Sequence, residues 1–324
     1  MKSTASIRYG LLNKFAMQIH GVLIAFAFLS ATTTPAQSQT IDIKPRWQVG
    51  KKYTQTSKTE ETSTIEIGNQ KMEQKVGMTI ESTLAIRLHE NGKFKRVTMK
   101  YDRIAIAMSM AGQEIKCDSA KAGDAESDPL GAGKLVGILI GKEVKMVLDD
   151  KDEVIEVGNL DALLKQMAAA DPKASMFGEL FNKDAMKNMI RQNSLLGAPG
   201  KPVKAGDAWP FTYSVSMEPA GKVSIAGNYT MKGQSVRAGA KCAELAISGK
   251  IGIEAAPTGA TPGPGSAGTL SGSVWFDPAL GICRDSETTR QMNLKVKNPV
   301  KPDESMEVPM KQVVKQTITK VENL

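Results

Sequence analysis

Residues 76–88 read VGMTIESTLAIRL, and the fold follows from their alternation. The even positions are Val76, Met78, Ile80, Ser82, Leu84, Ile86 and Leu88; the odd ones are Gly, Thr, Glu, Thr, Ala and Arg. Successive side chains of a strand point to opposite faces, so the stretch has one apolar face and one wet face. At about 3.3 Å per residue it spans roughly 40 Å, well beyond the usual strand. Glu90-Asn91-Gly92-Lys93 follows, and Asn-Gly is the preferred pair for a type I′ hairpin turn. Phe94 to Met110 is the returning strand. Val97, Met99 and Tyr101 share one phase, whereas Ile104, Ile106, Met108 and Met110 take the other, which predicts a β-bulge around Asp102-Arg103.

The same layout recurs further along. Val223, Ile225, Gly227, Tyr229 and Met231 alternate, as do Leu245, Ile247, Gly249, Ile251 and Ile253. Shorter pairings are expected between Val144–Leu148 and Val154–Val157, across Asp149-Asp150-Lys151-Asp152, and between Val274–Phe276 and the segment from Ile282. Each half opens on a tryptophan and a tyrosine: Trp47 and Tyr53, then Trp209 and Tyr213. The last strand is expected over Met306 to Val321. These readings give a two-fold pseudo-repeat of long hairpins.

The period changes between the halves. Leu160, Leu163, Leu164 and Met167 recur at helical spacing, as do Phe177, Leu180, Phe181, Met186, Met189 and Ile190. Asn159 or Asp161 suits the cap of the first helix, and Asp171-Pro172 its break. Leu196 to Pro202 reads as a linker, and the Gly- and Pro-rich Ala255 to Gly268 as an exposed loop.

The first 38 residues read as a secretory signal rather than as fold. Lys2, Arg8 and Lys14 precede an apolar run, Gly21 to Ala31, which is too short to span a bilayer, and a small-residue stretch follows with cleavage after Ser38 or Ala36. The expected location is exported, periplasmic or extracellular, with residues 39–324 forming one β-rich domain (39–158, a helical insert and linker over 159–202, and 203–324). The full chain has a formal charge of +8; removing the leader takes away three basic residues and leaves +5. Those charges are scattered between Thr, Ser and Glu without an aromatic-flanked patch, so nucleic acid is not expected as a partner. After the leader no apolar segment is long enough to cross a membrane, Leu135 to Ile140 being the best candidate.

Three cysteines, Cys117, Cys242 and Cys283, allow one bridge. Cys242–Cys283 is the first choice in an oxidising compartment. If the segments form a meander, however, a strand lies between them at about 9–10 Å, too far to bridge. Three buried thiols are the alternative.

No catalytic, cofactor or metal residue is expected. Once His20 leaves with the signal, His89 is the sole histidine, beside a turn where exposure is the default. Asp149 to Glu153 lacks the glycine and spaced ligands of a calcium loop and reads as a charged hairpin tip. Gly131-Ala132-Gly133-Lys134-Leu135 lacks the first glycine and the Ser or Thr of a phosphate loop. Its glycines suit a buried turn or short helix. Any two of the 34 acidic residues could meet, so a hydrolase using paired carboxylates is the third-ranked reading. The positive anomaly is methionine: 15 of the 17 lie beyond the leader, many on apolar faces, either as core filling or as a deformable lining.

Arg46-Trp47-x-x-Gly50-x-x-Tyr53, the acidic hairpin and Pro202-Val203-x-x-Gly206-Asp207-x-Trp209 together resemble a family of exported bacterial proteins of unknown function. The family is similar in outline to periplasmic lipoprotein carriers, which implies a curved antiparallel sheet around helices and an apolar hollow. The expected architecture is therefore mainly β (α+β), a large curved sheet or open barrel around the helical insert, its halves sharing one apolar lining. The expected function is non-catalytic, with no cofactor: binding or carrying an apolar, lipid-like ligand in the cell envelope, or else acting as a structural or interaction module on another envelope protein.

Overall fold

The structure, a computed structural model, describes residues 40–67, 70–110, 113–121, 132–170, 183–193, 195, 197–217, 221–255, 265–297 and 305–324. The expected signal, the helix break at Asp171-Pro172, and Phe177, Leu180 and Phe181 lie outside them.

The protein is mainly β. Twelve strands form one open antiparallel sheet: β1 Lys51–Ile67, β2 Gln70–Leu88, β3 Lys95–Met110, β4 Gln113–Asp118, β5 Glu143–Leu148, β6 Val154–Gly158, β7 Ala208–Met217, β8 Gly221–Arg237, β9 Ala240–Ala255, β10 Ala267–Asp277, β11 Ile282–Lys297 and β12 Ser305–Asn323. Their spatial order is β6-β5-β3-β2-β1-β12-β11-β10-β9-β8-β7, with β4 paired to the far end of β3. Each half is a meander, and the two meanders meet where β1 pairs β12, from Lys51 opposite Asn323 to Ser63 opposite Met310. The free ends of the order, β6 and β7, are the strands flanking the helical insert. Nineteen residues give β2 a span of roughly 60 Å, half as long again as its alternation suggests.

The expected bulge is present. Glu81 pairs Arg103 and Ser82 pairs Tyr101, so Asp102 is the extra residue. It restores the apolar phase of β3 to the side occupied by Leu84 and Ile80. The β8–β9 hairpin turns through Ala238 (φ 47°) and Gly239 (φ 76°), positive at both positions as a type I′ turn requires. The loop expected over Ala255 to Gly268 is shorter at both ends, because Ala255 closes β9 and Ala267 opens β10.

Three helices are described: α1 Ala132–Leu139, α2 Leu160–Ala170 and α3 Lys183–Asn193. Helix α3 contacts β6, β7 and β11. Those strands are the two ends and a middle member of the sheet, so the sheet curls and α3 sits within the curl. Tyr101 of β3 donates its hydroxyl to Met186 Sδ at 3.5 Å, and Arg191 binds Glu153 on the β5–β6 turn at 2.5 Å, fixing the helix at both ends.

The apolar interior forms two clusters rather than one continuous lining. The first gathers Leu84, Ile86, Val97, Met99 and Met146 under the helices, together with Ile282 and Ile318 from the far half. The second gathers Phe211, Tyr229, Leu245, Ile251 and Phe276, with Ile41 and Ile43 from the N-terminal segment. The middle rows of β1, β12 and β11 between them, from Ser57, Gln316 and Ser286 to Glu61, Gln312 and Arg290, are polar inward apart from Val314, which explains the division. Gln55 Nε2 donates to Ser82 Oγ at 3.0 Å and Gln316 Nε2 to Gln55 Oε1 at 3.3 Å, both buried. In the second cluster a Cβ on Gly227 would stand 2.3 Å from Ser248 O and 2.8 Å from Phe211 Cζ. The missing side chain is what lets the Phe211 ring lie across the strand.

The acidic turn is more than a charged tip. Asp149 Oδ1 accepts the amides of Lys151 and Glu153, both at 2.9 Å, while Asp152 at φ 64° turns inward. Asp152 accepts Trp47 N at 2.8 Å and Lys95 Nζ at 2.5 Å, with its side chain only 7% exposed. It thereby clasps the segment before β1, whose Trp47 stacks edge-on against Tyr53 at 5.1 Å. Burial first, with Asp152 and Asp277 adding, pushes the Tyr53 hydroxyl up to about 12 against a backbone bond from Gln48.

Candidate functional site: the inner face of β11, β12 and β1

One row of side chains crosses the concave face as Leu270, Arg290, Gln312, Glu61, Val76 and Met108, on β10, β11, β12, β1, β2 and β3. Its centre is charged. Arg290 Nη1 donates to Gln312 Oε1 at 3.0 Å, and Gln312 Nε2 donates to Glu61 Oε2 at 3.0 Å. The amide thus stands between the cation and the carboxylate. Arg290 Nε is shut off from solvent and has no hydrogen-bond partner. Among the described residues no carboxylate forms an ion pair with this guanidinium. Burial lowers the Arg290 pKa from the usual arginine value, and the nearby Tyr213 acts in the opposite sense. Tyr213, on β7, is pushed up to about 12 chiefly by burial; Arg290 and Arg191 lower it and Asp184 raises it. So β11, β7 and α3 converge on one spot.

Beyond this row the face turns apolar. On β11 the phase of Arg290 continues through Met292, Leu294 and Val296, and on β12 through Met310, Val308 and Met306. Across from them on β1 and β2 stand Ile65 and Met72. Apart from the buried Val308 these residues are half-buried. Methionine supplies much of the surface, and its unbranched thioether adapts to irregular shapes.

Among the described residues, hollows also lie elsewhere. A cavity of about 450 Å³ at one end of the sheet is lined by Asp42, Lys44, Arg46, Lys241 and Cys242 among others. A groove of about 270 Å³ opens beside Gly77, between Lys75, Glu60 and Lys116.

The expected Cys242–Cys283 bridge is not formed. Both are buried thiols, and β10 lies between their strands. Burial pushes Cys242 up to about 11 and Cys283 up to about 12, with Asp277 adding at Cys242. Cys117 is buried in the first cluster. His89 is half-buried at the β2–β3 turn, its Nδ1 accepting Asn91 N at 3.3 Å. Among the described residues no three His, Cys, Asp or Glu are placed to hold a metal ion, and no helix is long and apolar enough to cross a membrane. Sequence reasoning passed over Arg290. The available signal was its period-two phase with Met292, Leu294 and Val296, which places an arginine on the inward face.

No curated protein matches the chain. Lipovitellin, solved in a study of lipid–protein interactions, superposes with a TM-score of 0.46 at 10% identity over 86% of this chain and 26% of that one. The chain thus spans about a quarter of the lipovitellin chain. A protein from Bacteroides fragilis described as exported, with a YmcC-like fold, gives 0.30 at 11% identity over 87% of this chain and all of its own. An outer membrane channel from Pseudomonas putida F1 gives 0.23 at 8% over 85% and 97%. None is similar enough to bear on function. The sequence family is decided by a closer match, a family model aligned to residues 91–282, which spans the acidic hairpin and the Pro202–Trp209 motif. With more than half of its length matched, the chain belongs to the family of unknown function DUF6263.

Proposed function

We propose that the protein is an exported, non-catalytic envelope protein that holds an apolar, lipid-like molecule against the methionine-rich end of its inner sheet face. The observation that carries this reading is the half-buried, inward-facing set Met292, Leu294, Met310, Met306, Ile65 and Met72, of which Met292 and Leu294 border the second cluster and the other four belong to neither. An apolar surface of that kind gains about 25 cal/mol for each Å² removed from water. Thioether side chains let it accommodate chains of varied shape.

The test is fluorescence of the neutral probe N-phenylnaphthylamine with the folded full-length protein, alongside Met310→Glu and Met292→Glu. The expected result is saturable enhancement for the parent, at least tenfold weaker in either variant, with unchanged far-UV dichroism. Absence of enhancement by the parent, or equal enhancement by both variants, overturns the reading.

A further inference from the structure

We infer that Arg290 anchors the carboxylate head of a long-chain amphiphile whose tail lies along the methionine-rich face. This rests on the function proposed above and adds the head-group chemistry. The guanidinium offers five donors in a planar fork. Here Nη1 is committed to Gln312, Nε has no acceptor, and no described carboxylate pairs with the charge. The side chain is half-buried and its charge lacks an anionic partner, a costly arrangement that an anion bound at Nη2 answers. A carboxylate oxygen accepts from Nη2 through a charge-assisted hydrogen bond.

The surroundings favour a single negative charge. Glu61 lies behind the Gln312 amide, Asp184 is near Tyr213, and Arg191 is taken up by Glu153. A doubly charged phosphate would face Glu61 and Asp184 with only Arg290 unpaired. Tyr213, protonated at neutral pH, is a second donor close to the same point. The reach also fits: from Arg290 to Val296 the strand runs about 20 Å, comparable to an extended fatty acyl chain. Arg290 stands at the inner end of that run, so the head lies inward and the tail outward along β11 and β12.

The experiment measures displacement of cis-parinaric acid from the full-length protein by oleate, methyl oleate and vesicles of dioleoylphosphatidylglycerol. The proteins are the parent, Arg290→Met and Arg290→Lys, with folding checked by urea midpoints. Oleate is expected to bind the parent at least tenfold more tightly than its methyl ester. Arg290→Met should lose that preference while keeping ester binding, and Arg290→Lys should keep part of it. Equal binding of acid and ester by the parent overturns the anchor without touching the apolar site, and does so even if Arg290→Met fails to fold. Unchanged oleate binding by Arg290→Met, or displacement by the phospholipid alone, also overturns it. If neither acid nor ester binds, the apolar site falls as well.

Discussion

Replacing Asp152 with alanine tests whether the acidic turn is a structural clasp. Three losses add. The buried Trp47 amide loses its acceptor, at about 1–3 kcal/mol for an unsatisfied donor. The Lys95 ammonium loses its partner; breaking a buried pair costs about 3–5 kcal/mol, but Lys95 is 19% exposed and reaches water, so about 1 kcal/mol is appropriate. Alanine at φ 64° adds about 1 kcal/mol, because the left-handed region is tolerated best by Gly, Asn and Asp. The expected cost of Asp152→Ala is therefore about 4 kcal/mol. Asp152→Asn keeps the acceptor and the backbone tolerance and loses only the charge, at about 1 kcal/mol. Urea unfolding with linear extrapolation measures both, and an unchanged slope confirms that the comparison is of stability alone. If both variants fall within about 0.5 kcal/mol of the parent, the range usual for surface substitutions, the clasp does not exist.

Gly227→Ala must move both the Ser248 carbonyl and the Phe211 ring, so a destabilisation of about 3 kcal/mol is expected in the same assay, with altered near-ultraviolet dichroism. Cys242 and Cys283 hold their protons more tightly folded than unfolded. Their contribution is complete below the unfolded thiol value of about 8.5 and is lost as pH rises toward the folded values. Thiol titration at pH 8 should accordingly be slow in the folded protein and fast in denaturant. Asp118 is held down to about 2 by the Arg103 guanidinium and the Ala120 amide. Its contribution is present above the unfolded carboxyl value of about 3.9 and falls away as pH drops through the folded one. Asp118→Asn should flatten the fall in stability between about pH 4 and 2, read from urea midpoints.

Alternation made β2 and β3 legible, including the extra residue at Asp102, since a phase change in an otherwise strict period has few other causes. It did not reveal β1 or β4. The β1 sequence, KKYTQTSKTEETSTIEI, is polar on both faces because its inward residues Gln55, Ser57, Thr59, Glu61 and Ser63 form the seam between the clusters. A single apolar lining was therefore the natural expectation, and the inward polar rows are why two clusters formed instead. Asp152 shows the opposite difficulty. Five charged residues in succession read as solvated surface, and only the positive φ turns one of them inward. Arg290 was readable in phase but not in significance, because its value depends on Tyr213 and α3, far off in the chain.

The zipping of β1 against β12 carries a consequence for biogenesis. Until Ser305 and the residues after it have been synthesised, β1 and β11 each present a bare ladder of amides and carbonyls more than a dozen residues long. Such edges invite pairing with other chains for as long as β12 is missing. A premature stop before that point would cripple both halves at once. Circular permutation that joins the present ends and opens the chain within the helical insert would let neighbouring strands pair in order of synthesis.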